Sequence, residues 1–134
     1  MPFMNSLPAF ANYLIYLALA GVLLTVFFVI YTRVTPFDEV LLIRQGNTAA
    51  AFSLGGAIIG FSLTVVSAIM HTTGYVQFLA WAAAALVVQL TAYLVMDRCI
   101  KMSREHIESG NVAYGGLLGA IAVSVGAINA ACIS

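Results

Sequence analysis

Charge is what this chain has least of. Only 7% of its 134 residues are Asp, Glu, Lys or Arg, where an ordinary soluble domain carries roughly 25%. Five Lys and Arg balance five Asp and Glu, so there is no basic face for a nucleic acid and no excess charge to hold a chain unfolded. Two cysteines are too few for a secreted disulfide scaffold. The balance is apolar: 63% hydrophobic residues and a mean hydropathy of +1.05. A water-soluble core of this size has no room for so much apolar surface, which excludes a soluble globular protein. The solvent is the bilayer.

All ten charges fall in two windows. Arg33, Asp38, Glu39 and Arg44 make the first; Asp97, Arg98, Lys101, Arg104, Glu105 and Glu108 make the second. A helix needs about 20 apolar residues to cross roughly 30 Å of hydrocarbon. Four runs qualify, at about 10–31, 48–70, 76–96 and 112–133. Backbone groups cannot go unpaired in lipid, and uninterrupted runs of this length suit helices, whereas barrel strands would alternate. The expectation is an all-α membrane protein, one domain over 1–134, with four transmembrane helices.

Lys and Arg occur in the 1–2 and 3–4 loops and nowhere else. In loops this short they mark the cytoplasmic side, so both termini are expected outside, in the periplasm of a Gram-negative bacterium. Tyr13, Tyr16, Tyr75 and Trp81 then fall near the outer boundary, and Tyr31, Tyr93 and Tyr114 near the inner one. The first helix has no basic residue before it and too long an apolar run for a cleaved signal peptide.

The second half resembles the first at an offset of 64 residues. Ile43-Arg44-Gln45-Gly46-Asn47-Thr48-Ala49 aligns with Ile107-Glu108-Ser109-Gly110-Asn111-Val112-Ala113, and Leu54-Gly55 with Leu118-Gly119. Ala18, Gly21 and Thr25 fall on Ala82, Ala85 and Gln89, each set on one helix face. Two parallel two-helix repeats are expected, about 10–70 and 76–133, related by an axis along the membrane normal. Within the first charged window, Thr35 reads as the cap of a short helix with Pro36 at its first position, turning Phe37, Val40 and Leu41 toward lipid or protein. Gly46 and Gly110 read as helix stops and Asn47 and Asn111 as caps of the next helices. In the second window the third helix is expected to run on through Arg98 and Lys101, with Arg104 and Glu108 paired.

Taken together, Thr35-Pro36-Phe37-Asp38-Glu39, Arg44-Gln45-Gly46-Asn47-Thr48-Ala49-Ala50-Ala51, Val87-Val88-Gln89-Leu90, Gly110-Asn111-Val112-Ala113 and Gly126-Ala127-Ile128-Asn129-Ala130-Ala131-Cys132 resemble domain-of-unknown-function family 350. The resemblance covers nearly the whole chain after residue 12. It implies a small bacterial inner-membrane protein, two copies of a two-helix unit, and an envelope-related pathway; it supplies no catalytic residue. Tyr114-Gly115 departs from the Ala-Ala pair of the family pattern.

Site chemistry is sparse. No Asp, Glu, Lys or Arg lies in any span, and proton-coupled transport needs an embedded ionisable group. His71 and His106 are separated by roughly a membrane thickness, as are Cys99 and Cys132, so neither pair can share a metal or form a bridge within one chain. No Ser or Cys has a base at matching depth. The chain is therefore read as non-enzymatic and without a cofactor.

What remains is uncharged. Gln89 and Asn129, about 14 Å apart in depth, together with Thr25, Ser62, Ser67 and Ser124, offer either helix–helix hydrogen bonds or a polar path for an ion or small solute. Gly56 and Gly60 on the second helix, and Gly115, Gly119 and Gly126 on the fourth, form stripes that let backbones approach closely. Four helices offer little surface to absorb both stripes, which points to a homo-oligomer. The expected function is an oligomeric inner-membrane protein that docks a soluble cytoplasmic partner through Arg98, Lys101 and Arg104; a passive channel or transporter is the alternative.

Overall fold

A helix pairs its backbone groups internally, and this is the form the apolar runs take. The structure, a computed structural model, describes residues 2–35, 37–99 and 103–133. In chain order the elements are α1 (Pro2–Val34), α2 (Glu39–Arg44), α3 (Thr48–His71), α4 (Tyr75–Cys99), α5 (Ser103–Glu108) and α6 (Val112–Ile133). Helices α1, α3, α4 and α6 are long and apolar enough to cross a membrane. The short α2 and α5 sit at the end that carries the charges.

Helix α1 begins at Pro2 and passes through Pro8, well before residue 10. Hydropathy marks where lipid begins, while the helix continues for as long as its hydrogen bonds do. Helix α4 reaches Arg98 and ends at Cys99; Lys101 lies outside the described residues.

The short helix after α1 starts later than expected. Asp38, not Thr35, is its N-cap, accepting a hydrogen bond from the Leu41 N–H at 3.1 Å. A carboxylate is a better cap than a threonine. The Thr35 hydroxyl instead donates to the carbonyls of Thr32 and Phe37, finishing α1, and Pro36 lies outside the described residues. Phe37 is buried while Val40 and Leu41 stand on the outer surface. The later start brings Glu39 to the inside.

Helices α2 and α5 end alike. Gly46 and Gly110 adopt φ of 84° and 80°; the N–H groups of Asn47 and Asn111 return to the carbonyls of Leu42 and His106, the glycine-assisted stop that left-handed backbone permits. Asn47 then caps α3 through Ala50, and Asn111 caps α6 through Tyr114.

Helix α3 is the centre of the molecule. Its Gly56 and Gly60 meet Gly115, Gly119 and Gly126 of α6 so closely that a Cβ on any of the five would strike the facing backbone. The touching pairs climb in step, Ala49 with Gly115, Phe52 with Gly119 and Gly60 with Gly126, so the two helices run parallel. Both stripes are thus absorbed within one chain, and the argument for self-association drawn from these glycines no longer holds. Phe78, Ala82, Ala85, Gln89 and Tyr93 form the buried face of α4. The matching residues of α1, Ala18, Gly21 and Thr25, are exposed. Helix α1 joins the bundle through aromatic contacts instead: Phe27 stacks on Phe61 at 4.6 Å, and Tyr31 meets Tyr93 at 5.2 Å.

Candidate functional site

The charged end is built from two turns and the two short helices before them. Asn47 ties them together: while its Oδ1 caps α3, its Nδ2 donates to the Ile107 carbonyl at 2.7 Å. Phe37, Ala49, Ala50, Ile107, Tyr114 and Leu118 form a small core beneath. Tyr114 stacks on His106 at 4.7 Å. A cleft of about 340 Å³ lies between the turns, with Gln45, Gly46 and Thr48 on one side and Glu108, Ser109 and Gly110 on the other.

Outside this core the charges face solvent. Arg33, Asp38, Arg44, Arg98, Arg104, Glu105 and Glu108 are all exposed. Arg104 pairs with Glu108 at 3.0 Å, as the spacing predicts. With 65% and 43% of these side chains accessible, water screens the pair and its contribution is small. Of the expected docking residues, Arg98 and Arg104 are therefore available to a partner, and Lys101 lies outside the described residues.

Glu39 is the exception. It is 0% exposed, and neither Oε1 nor Oε2 makes a hydrogen bond of good geometry. Its surroundings come from three elements. Tyr31 on α1 stands beside Ser53 of α3 and within the field of the Glu39 carboxylate; Thr35 and Asp38 flank it along the chain. Burial pushes the carboxyl up to about 7; the Thr35 hydroxyl pulls it back, and the Asp38 charge pushes it further up. Ser53, 1% exposed, also has a hydroxyl with no hydrogen bond of good geometry. The sequence reading missed this group, because it places Glu39 in a short helix outside every apolar span, with Phe37, Val40 and Leu41 as its apolar face.

Polar character continues inward from there. Tyr31, Tyr93 and Gln89 share a small cavity of about 20 Å³ with Met96, Leu118 and Ala122, enough for one water. Tyr31, Tyr93 and Tyr114 are at the expected end but point into the bundle instead of lying at its interface. Gln89 donates to the Ala122 carbonyl at 3.0 Å, bridging α4 to α6, and its Oε1 is left without a partner. At the level of Gln89 the stacked Phe27 and Phe61 close the interior, and Phe78 closes it farther out.

The other polar candidates do not converge. Thr25 and Ser124 are exposed, and Thr25, Ser62 and Ser124 donate to carbonyls of their own helices. Ser67 donates to the Ala130 carbonyl of α6, with His71 beside it. Asn129 is half-buried, seven residues past Ala122, which is about 10 Å along the helix; it shares no site with Gln89. Near the opposite end an open cavity of about 810 Å³ lies between α1, α3 and α4, lined by Asn12, Tyr13, Tyr16, Thr72 and Tyr75, with the Tyr75 hydroxyl donating to Asn12 Oδ1. The sequence shows its tyrosines but not that α1, α3 and α4 leave a space between them there. Cys99 and Cys132 are free and exposed, and no cluster of three metal-ligating side chains occurs among the described residues.

Four long apolar helices, two of them in parallel backbone contact, with a folded charged cap at one end, define a small multi-pass membrane protein. Residues 3–133 match the family described as Domain of Unknown Function (DUF350), and the chain belongs to it. It is 32% identical over 134 residues to the UPF0719 inner membrane protein YjfL of Escherichia coli strain K12, covering 100% of this chain and 99% of that protein. The same figures hold for YjfL of Escherichia coli O157:H7. No solved structure matches the chain. The relatives are inner-membrane proteins, and neither their name nor the family description states a reaction.

Proposed function

We propose that this inner-membrane protein is a non-enzymatic platform that presents its charged end to a soluble cytoplasmic protein. The observation that carries the reading is the cap itself. Arg44, Arg104, Glu105 and Glu108 face outward from two short helices, with Arg33, Asp38 and Arg98 exposed at the same end, and Asn47 fastens the two helices together over a common core. A surface already ordered loses little entropy on binding, and mixed charges on it select a partner by complementarity. The charged end is taken as cytoplasmic because it holds every Lys and Arg, which sets both termini in the periplasm.

The duplication belongs to the same reading. Repeats at about 10–70 and 76–133 are supported by the parallel packing of α3 on α6 and by the matching turns at Gly46 and Gly110. Self-association is proposed through the shallow groove where Gly55 and Gly116 have open space beside them, since the other stripes are spent within the chain. The alternative of a passive polar path is the weaker one: Thr25, Ser62 and Ser124 are turned onto their own helices.

Crosslinking in native membranes tests the platform. The expected result is a reproducible soluble protein joined through residues 33–47 or 97–111, lost when Arg98, Lys101 and Arg104 are all changed to Glu with insertion intact. Capture unchanged in that variant, or only copies of this chain joined through α3 and α6, would overturn it.

A further inference from the structure

The four apolar runs hold no carboxyl, yet the folded chain buries one. Glu39 is sealed from solvent, and among the described residues neither oxygen makes a hydrogen bond of good geometry and no Lys, Arg or His forms an ion pair with it. An isolated carboxylate in such a place is strongly disfavoured, so the group must take up a positive partner or be neutral.

We propose that Glu39 is a proton-binding site: its carboxyl is seated protonated beneath α2 and loses the proton to water at the charged end only as α2 lifts from α3. The choice of ligand rests on the oxygens at hand. Near the carboxyl are the hydroxyls of Thr35 and Tyr31, with that of Ser53 beside Tyr31, and that of Thr35 already serves the carbonyls of Thr32 and Phe37. A hard metal cation asks for about six or more oxygen ligands; a proton asks for one. The titratable neighbours are Asp38 beside it and Tyr31 across from it. Helix α3 contributes Ser53, and α5 and α6 bring Ile107 and the Tyr114 ring to the cap.

The same geometry gives the site one door. Tyr31, Tyr93 and Gln89 extend the polar neighbourhood inward, but the stacked Phe27 and Phe61 close it at mid-bundle. Exchange therefore runs to the charged end, and the site stores a proton without conducting it across the membrane. The displacement of α2 that accompanies release is independent of any docked partner.

Dicyclohexylcarbodiimide, an apolar reagent that attacks protonated carboxyls, tests this on the full chain in nanodiscs, with adducts located by mass spectrometry. One adduct per chain is expected, on Glu39, with a rate that falls toward tenfold per pH unit above about pH 7. Hydrogen exchange across 37–47, corrected for intrinsic rates, is expected to rise over the same range in the native chain and to stay flat in Glu39→Gln, which mimics the neutral form. Absence of a Glu39 adduct at about pH 6, or a rate independent of pH, overturns the proposal. Protection by Na⁺ or K⁺ at fixed pH also overturns it, since the occupant would then be a metal cation. The labelling of the native chain decides the matter even if the variant fails to fold.

Discussion

Helices α2 and α5 stop by the same device, a left-handed glycine followed by an asparagine that caps the next long helix. Their acidic residues meet opposite fates. Glu105 and Glu108 of α5 lie in solvent, the latter against Arg104, while Glu39 of α2 is shut beneath the helix and pairs with no cation among the described residues. The asparagines differ too. Asn47 reaches across to the Ile107 carbonyl at 2.7 Å, whereas Asn111 reaches only its neighbour His106 at 3.4 Å. Local backbone signals set where a short helix begins and ends. What it buries is decided by neighbours far away in sequence, here Tyr31 and Ser53.

The largest expected effect is that of pH. Glu39 sits at about 7 in the folded chain against an ordinary 4.5, so the folded state holds its proton more tightly than the unfolded one. The stability this contributes is complete below about 4.5, declines above it and is lost as pH rises through about 7, a change of about 3 kcal/mol. Thermal or denaturant unfolding in detergent between pH 4.5 and 8 should show that loss in the native chain and not in Glu39→Gln. If both proteins lose stability equally, Glu39 is not the group responsible, and the contrast between the two caps collapses.

A smaller effect separates the two asparagines. Asn47→Ala removes a cap bond and the tie to α5, leaving the Ile107 carbonyl with the Gly110 N–H alone, and should cost about 2 kcal/mol. Asn111→Ala removes the cap bond to Tyr114 and should cost about 1 kcal/mol. Unfolding curves of the two variants measure the difference. Equal losses would mean that the Asn47–Ile107 bond contributes nothing, and that the cap is not held as one piece.

Much of this fold is legible in the sequence because its signals are local. Run length yields the four long helices, and Gly46-Asn47 and Gly110-Asn111 yield both turns. The glycine stripes announce close approach, but helical periodicity names a face and not its partner; hence Gly56 and Gly119 read as surfaces for another chain when they meet each other. Glu39 was hidden for two reasons. The spacing of Phe37, Val40 and Leu41 suggested an apolar face, and Thr35-Pro36 looked like a helix start. With Asp38 as the cap, Phe37 falls outside the helix and Glu39 becomes its first residue. Even then, burial depends on α3 passing alongside, which no local pattern encodes.

The least effect should come from the exposed pair. Arg104 and Glu108 are joined at 3.0 Å, but both are well hydrated, and an exposed pair four residues apart on a helix is worth about 0.3–0.5 kcal/mol. Arg104→Ala should therefore leave unfolding within about 0.5 kcal/mol of the native chain, with that difference vanishing in high salt. A loss comparable to that of Asn47→Ala would show Arg104 holding the cap together. Its charge would then be structural, and a poor choice for the platform's contact with a partner. A near-neutral result leaves Arg104 free to be reversed together with Arg98 and Lys101, so that any lost crosslink reports recognition and not a damaged fold.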